Sequence, residues 1–151
     1  MARIAAKLGA VFYVIWGIVH INAAYGLLKL GQSLDPGMVQ ARVFQDAWNI
    51  LMSALAVIVI GALMNWRNST TGYWINLILV TLLDIAFVLF VIVPGYAPLW
   101  PGLAGPIAWV IAAFFSTLAF TARHRTALPA APENVAKKEK EEKEREKEMQ
   151  R

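Results

Sequence analysis

A chain of 151 residues has room for one domain, and this one is 58% hydrophobic and only 16% charged, against roughly 45–50% and about 25% in soluble domains. Only five of its 14 basic and three of its 10 acidic side chains precede Arg123, so the net charge of +4 belongs to flanks and tail and not to a nucleic-acid surface. The absence of cysteine excludes disulfides, thiolate metal sites, cysteine nucleophiles and dithiol redox chemistry from this chain.

A helix crossing the hydrocarbon core needs about 20 mostly apolar residues. The first predicted span, residues 8–30, carries His20, with Asn22 and Tyr25 beyond it. Its apolar run exceeds the 7–15 residues typical of a signal-peptide core, and no cleavage pattern follows, so it reads as an anchor. Asp35-Pro36-Gly37 then makes a turn, because proline fixes φ and glycine supplies a permissive backbone.

The second span, residues 39–64, opens with its polar residues. Arg42, Gln45, Asp46, Asn49 and Ser53 fall at i, i+3, i+4, i+7 and i+11, which places all five on one helical face. In a membrane such a stripe is expected to face the bundle interior. Residues 65–72 form a compact polar connection. The third span, residues 73–93, carries Thr81 and Asp84 at i, i+3, and Pro94-Gly95-Tyr96-Ala97-Pro98 ends it.

The fourth span is expected at residues 99–121, with Pro101 and Pro106 near its start, where a missing N–H costs least. Ala104, Ala108, Ala112 and Ser116 follow one another at i+4, a small-residue ladder that lets a neighbouring helix approach closely. That neighbour lies in the same bundle or in another subunit, and Trp109, Phe114, Phe115 and Phe120 are then expected to point to lipid or to a partner. Beyond Thr121 the composition changes: a linker at 128–132, then a Lys/Glu-rich run at 136–151 with no apolar face, read as a solvated extension.

The fold class is therefore all-α: an integral membrane four-helix bundle of up-down order, residues 1–122, followed by a charged cytoplasmic tail, residues 123–151. Lys/Arg bias sets the orientation. With the N-terminus inside, the inner flanks hold Arg3, Lys7, Arg67, Arg123 and Arg125, and the outer flanks hold only Lys29 and Arg42. Both termini are expected in the cytoplasm, most naturally at a bacterial inner membrane. Trp66, Tyr73 and Trp74 form the inner aromatic belt, and Tyr25, Tyr96 and Trp100 the outer one.

At 1.5 Å per residue, His20 lies about 15 Å, Asp46 about 10 Å and Asp84 about 13 Å below the outer ends of their spans. The expected site is thus a polar cluster of His20, Arg42, Gln45, Asp46, Asn49 and Asp84 in the outer half, rimmed by Tyr25, Tyr96 and Trp100. Arg42 against two aspartates balances when the cluster holds one further proton.

Several readings stay open. The cluster is an internal network fixing helix register, or a pocket for a small amphiphilic ligand, or part of a membrane enzyme or proton-coupled carrier using His20, Asp46 and Asp84. Paired histidines are absent, so neither a metal site nor a cofactor is expected, and no catalytic motif is present. The favoured expectation is a non-catalytic lipid- or small-molecule-binding protein, or an accessory subunit beside a membrane partner or a second copy.

Two likenesses are partial. Arg42-Val43-Phe44 with Asn49 is similar to the start of the second helix in the four-span MAPEG proteins. However, Met52 stands where that family has an acidic residue, and its third-helix Arg/Tyr pattern is absent. The layout alone resembles that of small DoxX-like bacterial proteins. Neither likeness assigns a family.

Overall fold

The computed structural model describes residues 1–127 and, in the tail, residues 142, 145, 146 and 149. The linker expected at 128–132 lies outside the described residues, as does most of the charged run at 136–151. The chain divides into two units, Met1–Thr121 and Ala122–Arg151, and the packing below concerns the first.

Every regular element among the described residues is helical: α1 (Ala2–Gln32), α2 (Met38–Leu63), α3 (Thr70–Phe87), α4 (Leu99–Gly102) and α5 (Ala104–Ala127). A 3₁₀ turn, Asn65–Arg67, follows α2, and a π turn, Val88–Ile92, prolongs α3. Four segments are long and apolar enough to cross a membrane: Ala2–Gln32, Met38–Arg67, Thr70–Ile92 and Ala104–Arg125. The 31 residues of α1 measure about 46 Å at 1.5 Å each, longer than a hydrocarbon core of about 30 Å. A helix of that length crossing a bilayer would hold its ends, with Arg3, Lys7 and Lys29, outside the hydrocarbon core.

Polar side chains close the helix ends. Gln40 Nε2 donates to the Gly31 and Leu34 carbonyls at 3.0 and 3.1 Å, tying the end of α1 and the turn after it to the start of α2. Ser69 caps α3 by accepting from Gly72 N. Asn68 takes the left-handed conformation at φ 55°, which asparagine tolerates better than most residues, and its Nδ2 donates to Ala119 O at 3.2 Å.

The fourth span differs from the sequence expectation. It begins at Ala104, and Leu99–Gly102 is a separate short helix. Trp100 sits at φ −119°, ψ 127° inside that segment, because the ring of Pro101 disfavours the helical region for the residue before it. The Trp100–Pro101 bond is cis.

Small residues bring the helices together. Gly17 of α1 lies against Ala54 and Ile58 of α2, Gly61 of α2 against Tyr13, and Gly9 of α1 against Ala112 and Ser116 of α5. On α5, Ala108, Ala112 and Ser116 are buried and Ala104 is half-buried, so the ladder meets a helix of its own bundle. These pairings, with Tyr73–Thr117 and Thr81–Trp109 between α3 and α5, run α1 antiparallel to α2 and α5, and α3 antiparallel to α5. The core is Tyr13, Trp16, Val57, Val80, Ala108 and Ala112.

Large apolar groups face outward, among them Ile18, Val59, Leu82, Phe90 and Phe114, while Asn76 and Asp84 are among the largest fully buried side chains. That inversion of a water-soluble protein suits a lipid solvent. Two aromatics expected at the periphery turn inward instead. Trp109 packs on the core and donates Nε1 to Thr81 Oγ1 at 3.1 Å, since a buried indole N–H needs an acceptor. Phe120 stacks on Tyr73 with centroids 4.5 Å apart.

Candidate functional site

The structure brings together two of the six residues expected in the polar cluster. Asp84 on α3 is 0% exposed, and its Oδ1 lies 3.6 Å from His20 Nε2 of α1. Trp16, one turn before His20 on α1, supplies the third member: its Nε1 donates to Asp84 Oδ2 at 2.8 Å. The indole also stacks on the imidazole, with centroids 3.7 Å apart and planes 22° from parallel. From α5, Gly105 closes over the ring, where an added Cβ would meet His20 Cε1 at 2.6 Å. Only glycine fits there.

The hydrogen bonds fix the protons of this site. His20 Nδ1 lies 2.9 Å from Trp16 O, and a carbonyl only accepts, so Nδ1 carries a hydrogen. Nε2 and Asp84 Oδ1 then face each other, and no hydrogen-bond donor reaches Oδ1 among the described residues. Were both atoms bare, two lone pairs would oppose each other and an unpaired carboxylate would sit in hydrocarbon, at a cost of several kcal/mol. One proton, held by either partner, leaves the pair neutral overall. At 3.6 Å the contact is an ion-pair distance and not a hydrogen bond.

The other four residues do not join it. Arg42, Gln45, Asp46 and Asn49 are all exposed, which corrects the expectation that their stripe faces the bundle interior. The face that α2 buries is Ala47, Ala54, Val57 and Gly61. Each of Asp46 and Ser53 precedes one of these by a single position, a rotation of about 100° around the helix. Close approach to α1 needs the small residues, and that requirement turns the polar stripe outward. Arg42 Nη1 donates to Gln45 Oε1 at 2.8 Å. Asp46 and Asn49 have no hydrogen-bond or ion-pair partner among the described residues.

These side chains line an open groove of about 500 Å³, whose walls are Met38, Val39, Arg42, Val43, Gln45, Asp46 and Asn49, all from α2. Tyr25, Tyr96 and Trp100, expected as a pocket rim, are exposed and line no part of it. Lys29 Nζ lies over the Tyr25 ring at 4.6 Å.

A second polar cluster, at the opposite end of the bundle, was not anticipated. Asn76 on α3 is fully buried and donates Nδ2 to Val57 O at 3.3 Å, with the Asn65 amide oxygen 3.2 Å away. The Tyr73 hydroxyl lies 3.1 Å from Thr117 Oγ1, and buried Ser116 and Asn65 share a small cavity with Tyr73. The sequence signal was Asn76 itself, a polar residue in a mostly apolar span that also carries Thr81 and Asp84.

Among the described residues, no three His, Cys, Asp or Glu side chains are grouped to hold a metal ion. No family model, curated protein or solved structure matches the chain. Fold and site together define a class: a four-helix bundle fit to cross a membrane, with one buried Trp-His-Asp triad and one outward polar stripe.

Proposed function

We propose that this is a non-catalytic accessory protein of the bacterial inner membrane, which docks a neighbouring transmembrane helix on the polar face of α2. The observation that carries this reading is a groove walled by α2 alone, within which Asp46 and Asn49 have no partner among the described residues. A small-molecule pocket draws its walls from several elements. A groove on one helix is completed by another helix. Polar side chains on a span must find protein or water, and interhelical polar contacts supply about 0.6 kcal/mol each on average.

The Lys/Arg bias supports an orientation with both termini in the cytoplasm. It also supports an outward-facing Asp35 turn between α1 and α2, which places the stripe in the outer half of the membrane. With no native cysteine in the chain, Asp35→Cys should react with an impermeant maleimide in intact cells, and Thr71→Cys only after permeabilisation. The reverse pattern would overturn the orientation.

Assembly is tested by isolating the chain in mild detergent. The native chain should run as a complex of defined stoichiometry, with itself or with a partner subunit, and Asp46→Leu with Asn49→Leu should reduce it to a monomer of unchanged helix content. A native chain that is already monomeric, in membranes and in detergent, would count against the proposal.

A second reading rests on the His20–Asp84 pair, which holds one proton within the bundle and would suit a proton-linked carrier. Asp46 has no place in it, since it lies on the outer face of α2. Proton flux in vesicles that survives Asp84→Asn would remove this reading.

A further inference from the structure

A second groove runs between α1 and α2 toward the N-terminal end of α1. It encloses about 430 Å³ and is lined by Ala10, Val11, Val14, Ile15, Ala62 and Trp66. The lining is aliphatic apart from one indole, and Ala10 and Ala62 make it deep because neither side chain extends past Cβ.

A cation caps it. Lys7 lies on the same face of α1 as Val11 and Val14, at i, i+4 and i+7, so it sits one turn beyond the groove. Its Nζ is held 5.2 Å from the centroid of the Trp66 ring that forms the groove's end. Arg67 follows Trp66 in the same 3₁₀ turn, and Arg3 lies one turn before Lys7.

None of these three cations has an ion pair among the described residues. Within Met1–Thr121 the only carboxylate side chains are Asp35, Asp46 and Asp84. The first lies in the α1–α2 turn at the far end, the second on the first turns of α2 and the third beside His20. Within Met1–Thr121 the Lys7 end of the bundle is therefore positive with no carboxylate side chain at that end, beside an apolar slot that opens toward lipid.

We propose that this groove holds one acidic phospholipid, with an acyl chain along Val11, Val14 and Ile15 and the phosphate at Lys7. The indole serves as both floor and clamp: it stacks under the ammonium and walls the start of the chain. Apolar burial supplies binding without headgroup preference, and the lysine supplies the preference for an anion. The site is separate from the outward stripe of α2 and does not depend on it.

The test uses the full chain, delipidated in detergent and then titrated with phosphatidylglycerol or phosphatidylcholine of identical acyl chains, with bound lipid counted by native mass spectrometry. The native chain should retain one phosphatidylglycerol in preference to phosphatidylcholine. Lys7→Gln should reduce that preference about fivefold, and Lys7→Arg should restore it. Ala62→Leu, which fills the slot from its lipid-facing side, should weaken both lipids alike. Equal retention of the two lipids by the native chain would overturn the proposal, as would a preference unchanged by Lys7→Gln. Unaltered binding in Ala62→Leu would place the lipid elsewhere and overturn it equally.

Discussion

Asp84 and Asp46 are both aspartates on helices long and apolar enough to cross a membrane, and the bundle treats them in opposite ways. Asp84 is enclosed, accepts from Trp16 Nε1 and faces His20. Asp46 stands on the outside of α2 in an open groove, with no hydrogen-bond or ion-pair partner among the described residues. The first belongs to the packed interior, with side chains of α1 beside both of its oxygens, whereas the second belongs to an exposed face that, in the proposed account, another helix covers. Asp84 lies level with His20 in the middle of α1, whereas Asp46 lies near the Gly31 end, where Phe44 meets α1; in the account proposed above the first marks stability and the second association.

That contrast predicts a separation of effects. The largest should come from Asp84→Ala, which leaves the Trp16 N–H without an acceptor and His20 without its partner. Breaking a buried pair by removing one member costs about 3–5 kcal/mol, to be read as a lowered midpoint in denaturing-detergent titration. Asp84→Asn keeps an acceptor for the indole and should cost about 1 kcal/mol.

Next is Gly9→Leu. A side chain there meets Ser116 and the Ala112 carbonyl, and such overpacking costs about 1–3 kcal/mol. The smallest effect on folding should be that of Arg42→Ala, Asp46→Leu and Asn49→Leu. Exposed positions of this kind move stability by about 0.5 kcal/mol or less, although the same changes should abolish assembly. If the stripe variants unfolded the monomer as Asp84→Ala does, the contrast would be broken.

The difference between the two aspartates also explains what the sequence could disclose. Four spans were legible from apolar run length alone, because a lipid solvent imposes it, and four helices meet that criterion. The small-residue ladder on α5 was legible from its spacing. The start of the fourth span was misplaced because Pro101 acts on Trp100, the residue before it, and splits off a short helix.

At the site, His20 and Asp84 announced themselves as ionisable groups in apolar spans. Trp16 did not, because a tryptophan in such a span is ordinary until its N–H is seen to need an acceptor. The stripe on α2 was correctly grouped but wrongly aimed. Periodicity tells which residues share a face, and only packing decides which face is buried. Here Ala47, Ala54 and Gly61 carry that decision, one position out of phase with the polar residues. Asn65 and Asn76 were hidden for a related reason, since their pairing joins the end of α2 to the middle of α3.

The most direct test of the outward stripe exploits the cysteine-free background. Asn49→Cys and, as a control on an exposed apolar position of α3, Leu82→Cys are each treated in native membranes with a short thiol-reactive cross-linker. The account predicts a discrete intermolecular product of single mass from position 49 and none from position 82. A position 49 that yields no product, and is labelled as freely as position 82 by a lipid-soluble maleimide, would contradict it.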